Sequence, residues 1–265
     1  MKYKLIITDF DDTIAKKGVI PEPTLLAIKE YINAGGKFAI CSGRTPSSIK
    51  EKIGGLGLPL VVGAHQGSLI MDLGTDEIIC NGGLDYLTAC EVIKEVRKEA
   101  PVVAYVGDDL IYEVPCRYSD LFKGICPEFQ VDEVVEELKK RKQPVNRVIA
   151  STVPERVPEL MDKFQKTFGD KVIVNSGASY IVELVSPKHT KKQAVEILAN
   201  YYGVPLSEVM TVGDSTNDIP LLEGEWHGVA VGSAFPQLKA VADEITVPFS
   251  EHPMKYLIEK YCLEK

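Results

Sequence analysis

The 265-residue sequence predicts an α/β protein: a doubly wound, mostly parallel core interrupted by an inserted α+β domain. Three observations predict it. A short apolar strand near the N-terminus ends in two aspartates, Asp9 and Asp11, at the strand end where open α/β sheets place their ligands. Strand and helix patterns alternate up to about Gly82 and again after Pro187. Between them the rhythm changes to helices mixed with hairpin-linked strands, the mark of a separate α+β layer. The expected division is therefore a core from 1–82 and 186–265 with an insert at 83–185.

Leu5–Thr8 reads as the first strand. From Pro23 to Ala34, residues Leu25, Leu26, Ile28, Tyr31 and Ile32 recur mostly at helical spacing, and Gly35-Gly36 stops the helix. Lys37–Cys41 is a second buried strand, followed by Ser42-Gly43-Arg44 and a helix starting near Pro46. Leu60–Gly63 and Ser68–Met71 read as two more strands. Strand–helix–strand units of this length favour parallel pairing with right-handed crossovers. In the insert, a helix over Asp85–Glu99 leads to strands at Val102–Val106 and Leu110–Val114, with Gly107-Asp108-Asp109 turning between them. A helix near Val131–Arg141, a strand at Arg147–Ala150 and a helix from Pro154 follow. Strands at Lys171–Asn175 and Tyr180–Val185 flank the turn Ser176-Gly177-Ala178. Thr190–Tyr202 (helix), Val209–Val212 (strand), a helix opening at Asp218–Leu222 and Gly228–Val231 (strand) complete the core.

Bulk composition narrows the function classes. Apolar residues make up 45% and charged residues 26%, ordinary for a globular protein. No stretch approaches the roughly 20 apolar residues of a membrane span. The N-terminus enters a strand without the build of a signal peptide. Cys41, Cys80, Cys90, Cys116, Cys126 and Cys262 form no CxxC pair, which fits reduced thiols and a cytoplasmic location. A net charge of −8 argues against nucleic acid or an anionic membrane as partner. An anionic substrate has to be held by local cations and a bound metal.

Four segments carry chemistry. Asp9 and Asp11, with Thr13 beyond them, fall on one side of an extended chain, and like charges that close call for a cation or a shared proton. Ser42-Gly43-Arg44 joins a buried strand to a helix, so its hydroxyl and backbone N–H groups suit a phosphate near the helix dipole, with Arg44 as a further contact or a surface residue. Asp214 and Asp218 in Gly213-Asp214-Ser215-Thr216-Asn217-Asp218 lie four apart across a strand end and helical turn. With Asp9 and Asp11 they make an oxygen-rich set suited to Mg²⁺. A lysine near 188–192 is placed to screen a nucleophile and hold a phosphoryl oxygen. Each segment has a plainer structural alternative: an Asp-rich turn, an N-cap serine, a helix cap at Asp218, a solvated lysine. Together they specify phosphoryl transfer.

In the order and spacing of these motifs the whole chain resembles the haloacid dehalogenase superfamily, and within it the Cof-type sugar-phosphate phosphatases. The resemblance implies a Rossmann-like core with a cap domain that closes over the leaving group. It implies Asp9 as the nucleophile that forms an aspartyl-phosphate, and Asp11 as general acid and base with its backbone carbonyl on Mg²⁺. Thr13 then positions Asp11, and Ser42 holds the phosphate. Asp214 is a direct metal ligand, Asp218 an inner or water-bridged one, and Asn217 a polar contact. Aligning Glu183-Leu184 and Ala194-Val195 with the family pattern selects Lys191, with Lys188 as the fallback, because Lys192 stands where a glycine is expected. Asp12 replaces the usual Gly, Gln66-Gly67-Ser68 after His65 replaces Asn-Gly-Ala, and Ser233-Ala234 replaces Asn-Ala.

The expected function is Mg²⁺-dependent hydrolysis of a small phosphomonoester, sugar phosphates foremost, with the turn around Asn175–Ser179 touching the substrate. A phosphomutase on the same scaffold and a non-catalytic phosphate-binding regulator are the alternatives. The intact Asp9, Asp11, Thr13, Lys191 and Asp214 oppose the regulator. An Asp-rich first turn, without GxGxxG, opposes a dinucleotide site.

Overall fold

Leu5–Thr8 forms β1, and all four side chains are buried, because a central strand of a parallel sheet has helices on both faces. α1 (Glu22–Asn33) opens with prolines at its first turn, where a missing N–H costs nothing. β2 (Lys37–Cys41), α2 (Pro46–Ile53) and β3 (Val61–Ala64) continue the βα alternation. β4 (Leu69–Asp72) turns back antiparallel to β3, and β5 (Glu77–Asn81) lies beyond it at the sheet edge.

The following segment builds its own layer: α3 (Tyr86–Val96), β6 (Val102–Val106), β7 (Asp109–Tyr112), α4 (Arg117–Phe122), β8 (Glu128–Gln130), α5 (Val134–Arg141), β9 (Arg147–Ser151), α6 (Val157–Phe168), β10 (Ile173–Asn175) and β11 (Ile181–Val185). Its six-stranded sheet runs β10-β11-β9-β6-β7-β8, antiparallel except for the β7/β8 pair. Strand alternation divides its apolar residues between two faces. Val102, Ala104, Val148, Ala150, Val182 and Leu184 pack with residues of α3, α5 and α6, while Val103, Tyr105, Ile149 and Ile181 join Tyr118 and Cys126 in a separate cluster.

The chain then returns with α7 (Lys191–Tyr202), β12 (Val209–Gly213), α8 (Ile219–Leu222), β13 (His227–Ala230), α9 (Pro236–Lys239), β14 (Glu244–Ile245) and α10 (Pro253–Tyr261). The eight-stranded sheet has the order β14-β13-β12-β1-β2-β3-β4-β5. β1 pairs in parallel with β2 on one side and β12 on the other, Leu5 lying opposite both Lys37 and Val209. The strand order therefore reverses at β1 and β12, and the crevice beyond their carboxyl ends is where such sheets bind ligands.

This computed structural model describes residues 1–263. It divides into two compact units, one of Met1–Arg44, Ile49–Cys80 and the chain from Thr190, the other of Asn81–His189 with Thr45–Ser48. Residues 264 and 265, the end of the expected 186–265 core segment, lie outside the described residues. Among the described residues no helix is long and apolar enough to cross a membrane.

Candidate active site

Three pieces of the first unit meet at the reversal point. β1 delivers Asp9, whose N–H donates to the Val212 carbonyl at 2.9 Å and so ties it to the neighbouring strand. β12 ends at Gly213 and delivers Asp214; a side chain at Gly213 would lie 2.6 Å from the Asp218 Cβ, so only glycine lets Asp218 fold in beneath the strand end. α7 delivers Lys191 at its first turn. Thr190 caps that helix and Gln193 completes the capping box, which fixes where the helix starts and hence where Lys191 points.

The Lys191 Nζ lies 2.6 Å from Asp9 Oδ1 and 2.6 Å from Asp218 Oδ1. Lys191 is 1% exposed, Asp218 0% and Asp9 6%. Asp218 Oδ2 accepts the backbone N–H groups of Asp214 (3.0 Å) and Ser215 (3.1 Å), so both of its oxygens are spent within the protein. Its helix-capping and charge-pairing roles coincide. Asp214 Oδ1 accepts the Thr13 hydroxyl at 2.8 Å.

These charges do not balance. Burial pushes the Asp9 carboxyl up to about 8 against the pull of Lys191, with Asp218 and Asp214 pushing it further. Burial likewise raises Asp214 to about 6; the Thr13 hydrogen bond opposes it, and the charges of Asp218 and Asp12 add to it. Burial disfavours the Lys191 ammonium, but the carboxylates of Asp218 and Asp9 outweigh it and raise its pKa. Three carboxylates against one ammonium leave two negative charges uncompensated when all are ionised. Ligand oxygens of Asp9, Asp214 and Asp218 lie within 4.8 Å of one another. Among the described residues, Asp9 Oδ2 and Asp214 Oδ2 have no protein donor. An all-oxygen set with that charge and those open lone pairs fits a hard divalent cation such as Mg²⁺.

The Asp11 carboxylate is held by Arg44, Nε to Oδ2 at 2.7 Å and Nη2 to Oδ1 at 2.8 Å, and the chain turns tightly just beyond it, over residues 12–14. Thr13, expected to position Asp11, bonds Asp214. The turn also accounts for Asp12: its φ of 54° is the left-handed conformation that glycine adopts freely and aspartate tolerates. Lys16 pairs with the Asp12 carboxylate at 3.1 Å.

The remaining expected residues divide. Lys191 is the lysine bonded to Asp9 and Asp218, whereas Lys188 belongs to the second unit, its backbone N–H on Ser186 Oγ at 3.3 Å. Ser42 is buried, its N–H on the Gly63 carbonyl at 2.8 Å and its hydroxyl accepting the Arg44 N–H at 3.3 Å. Gly43 has a side chain packed over it, since a Cβ there would meet Gln66 Nε2 at 2.6 Å. Asn217 is exposed and donates to Gln66 Oε1 at 3.2 Å. The Asn175–Ser179 turn lies in the second unit at the end of β10, with Asn175 Oδ1 buried and, among the described residues, without a hydrogen-bond partner. Gln66 was visible in the sequence as a departure from pattern and nothing more.

Residues 6–257 match the family of haloacid dehalogenase-like hydrolases. Among curated proteins, 5-amino-6-(5-phospho-D-ribitylamino)uracil phosphatase YwtE of Bacillus subtilis (strain 168) is 25% identical over 284 residues, covering 97% of each chain. Among solved structures, TM0651 from Thermotoga maritima superposes with a TM-score of 0.83 at 21% identity, covering 99% of this chain and 98% of that one. The subclass IIB sugar phosphatase BT4131 superposes with a TM-score of 0.75 at 19% identity, covering 97% of this chain and 98% of its own.

Proposed function

Because the chain belongs to the haloacid dehalogenase-like hydrolase family, we propose that it is a Mg²⁺-dependent phosphatase of small phosphomonoesters, sugar phosphates foremost. The observation that carries this reading is the buried cluster of Asp9, Asp214 and Asp218 around the Lys191 ammonium, at the point where the strand order reverses. It pairs a shielded carboxylate nucleophile with a fixed positive charge, which is what phosphoryl transfer needs from a protein.

In the proposed reaction an Asp9 oxygen attacks phosphorus and the phosphorus–oxygen bond to the leaving group breaks. Asp11 gives its proton to the departing oxygen. Asp11 then takes a proton from water as that water attacks the aspartyl-phosphate, and the Asp9 carboxylate is released with inorganic phosphate. Lys191 stabilises charge on the phosphoryl oxygens, and Ser42 and Gly43 orient the group. Held by Asp9, Asp214 and the Asp11 carbonyl, with Asp218 supporting them, Mg²⁺ would neutralise the phosphate's negative charge.

Phosphate release from sugar phosphates, nucleotides, flavin mononucleotide, pyridoxal phosphate and the ribitylaminouracil phosphate named for YwtE tests the reading, each with and without Mg²⁺. Mg²⁺-dependent release that vanishes in Asp9→Asn is the expected result. No release from any of them, together with interconversion of sugar-phosphate isomers, would replace the hydrolase with a mutase.

A further inference from the structure

Gln66 stands in the most constrained stretch of backbone in the first unit. His65, Gln66 and Gly67 follow one another with φ of 49°, 60° and 87°. Left-handed φ is easy for glycine but sterically disfavoured for the two residues before it, so the surroundings must hold them there. They do so from two sides. The His65 N–H donates to the Arg44 carbonyl at 3.0 Å, and the Gln66 N–H donates to the Ser42 carbonyl at 2.9 Å. Gly67 lodges against the start of α7, where a Cβ would meet the Ala194 Cβ at 2.8 Å and the Thr190 carbonyl oxygen at 3.0 Å. The turn is thus fastened both to the Ser42–Arg44 loop and to the helix that carries Lys191.

Its side chain is placed with the same definiteness. Gln66 Oε1 accepts from Asn217 Nδ2 at 3.2 Å, with the amide nitrogen turned the other way. Nε2 consequently lies over Gly43, 2.6 Å from where a Cβ would stand, so Gly43 leaves room for this amide. Among the described residues neither N–H of that amide has an acceptor. A strained turn whose oxygen is held, and whose two donors stay open beside a phosphate-holding loop, is arranged for an anion.

We propose that the Gln66 amide donates a hydrogen bond to a phosphoryl oxygen of the substrate above Ser42 and Gly43, with Asn217 setting its orientation. This inference rests on the phosphatase reading. It makes Gln66 a phosphate-binding residue and Asn217 a positioning residue.

The experiment compares wild type with Gln66→Gly and Gln66→Glu in Mg²⁺. Glycine accepts a φ of 60° without strain, so the first variant removes the side chain and spares the backbone. Glutamate keeps the size and the acceptor for Asn217 but puts an anion where the donor was. Binding of inorganic phosphate is titrated calorimetrically, and KM, kcat and the melting temperature are measured alongside. The expected result is phosphate affinity and KM weakened about tenfold in Gln66→Gly and further in Gln66→Glu, with unchanged melting temperatures. Affinity within twofold of wild type in both variants overturns the proposal and leaves the phosphatase reading intact. Wild type that cleaves nothing but binds phosphate overturns the phosphatase reading, and the same titrations still decide Gln66. Wild type that binds no phosphate overturns both.

Discussion

Arg44 holds the carboxylate of Asp11 at both oxygens, 2.7 and 2.8 Å, in the fork geometry that a guanidinium makes with a carboxylate. The arginine expected on the substrate phosphate therefore spends two donors on the residue expected to move the leaving-group proton. The pairing supplies a discriminating experiment, because acid catalysis matters only when the leaving group is poor.

Arg44→Lys keeps the charge and loses the two-point grip. On alkyl phosphates kcat is expected to fall about tenfold or more, since a misplaced general acid forfeits part of a contribution of roughly 10²–10⁴. On p-nitrophenyl phosphate, whose leaving group needs no proton, the loss should be slight. Equal losses on both substrates would place Arg44 on the phosphoryl group and leave Asp11 independent of it.

Asp9→Asn removes the nucleophile without changing its size, and turnover should be lost. Stability should move the other way in metal-free protein. Burial lifts the folded-state Asp9 from its ordinary 3.8 to about 8, so above 3.8 the unfolded chain gives up this proton more readily than the folded one. Ionising Asp9 therefore lowers stability progressively until pH rises through about 8, and an uncharged asparagine escapes that loss. Melting in EDTA at pH 5 and pH 8 checks this: the gain of Asp9→Asn over wild type should be larger at pH 8. A gain that shrinks with pH would mean that Lys191 more than compensates the buried charge.

Lys191→Met tests the opposite sign at the same cluster. Methionine fills much of the space but leaves Asp9 and Asp218 without their ammonium, and breaking a buried pair in this way costs about 3–5 kcal/mol. Urea unfolding in EDTA reads the loss, and Mg²⁺ should return part of it. A variant as stable as wild type in EDTA would show that the carboxylates are protonated rather than paired.

Much of this arrangement was legible in the sequence because it is local. Asp9 and Asp214 each follow a short apolar strand, and Thr190-x-x-Gln193 announces the start of the helix bearing Lys191. What escaped depends on where side chains turn after a strand stops. Nothing at Asp11 shows that Arg44 takes its carboxylate, and nothing at Thr13 shows that its hydroxyl belongs to Asp214. The short edge strands β8 and β14 and the short helices α4 and α9 offer too few residues for a period to show, and β5 is an edge strand with no fully buried residue to mark it. α10 is different: Met254, Leu257 and Ile258 carry helical spacing that a reading ending at Val231 does not reach.

The open carboxylate oxygens separate metal ligands from structural aspartates. Asp214 gives one oxygen to Thr13 and keeps Oδ2 for a cation, whereas Asp218 has both oxygens committed, to Lys191 and to two backbone N–H groups. Mg²⁺ should raise the wild-type melting temperature, since a ligand at a hundred times its Kd adds about 2.7 kcal/mol to folding stability. Asp214→Asn should lose most of that Mg²⁺-dependent gain while melting close to wild type, or above it, in EDTA, because it also removes a like charge from the cluster. Asp218→Asn should do the reverse, melting lower in EDTA because the bolt between Lys191 and the Asp214-Ser215 backbone is weakened, yet still gaining stability from Mg²⁺. Thermal melts of the three proteins across a Mg²⁺ titration decide it. An undiminished Mg²⁺ shift in Asp214→Asn would remove Asp214 from the ligand set and leave Asp9 and backbone oxygens to hold the ion.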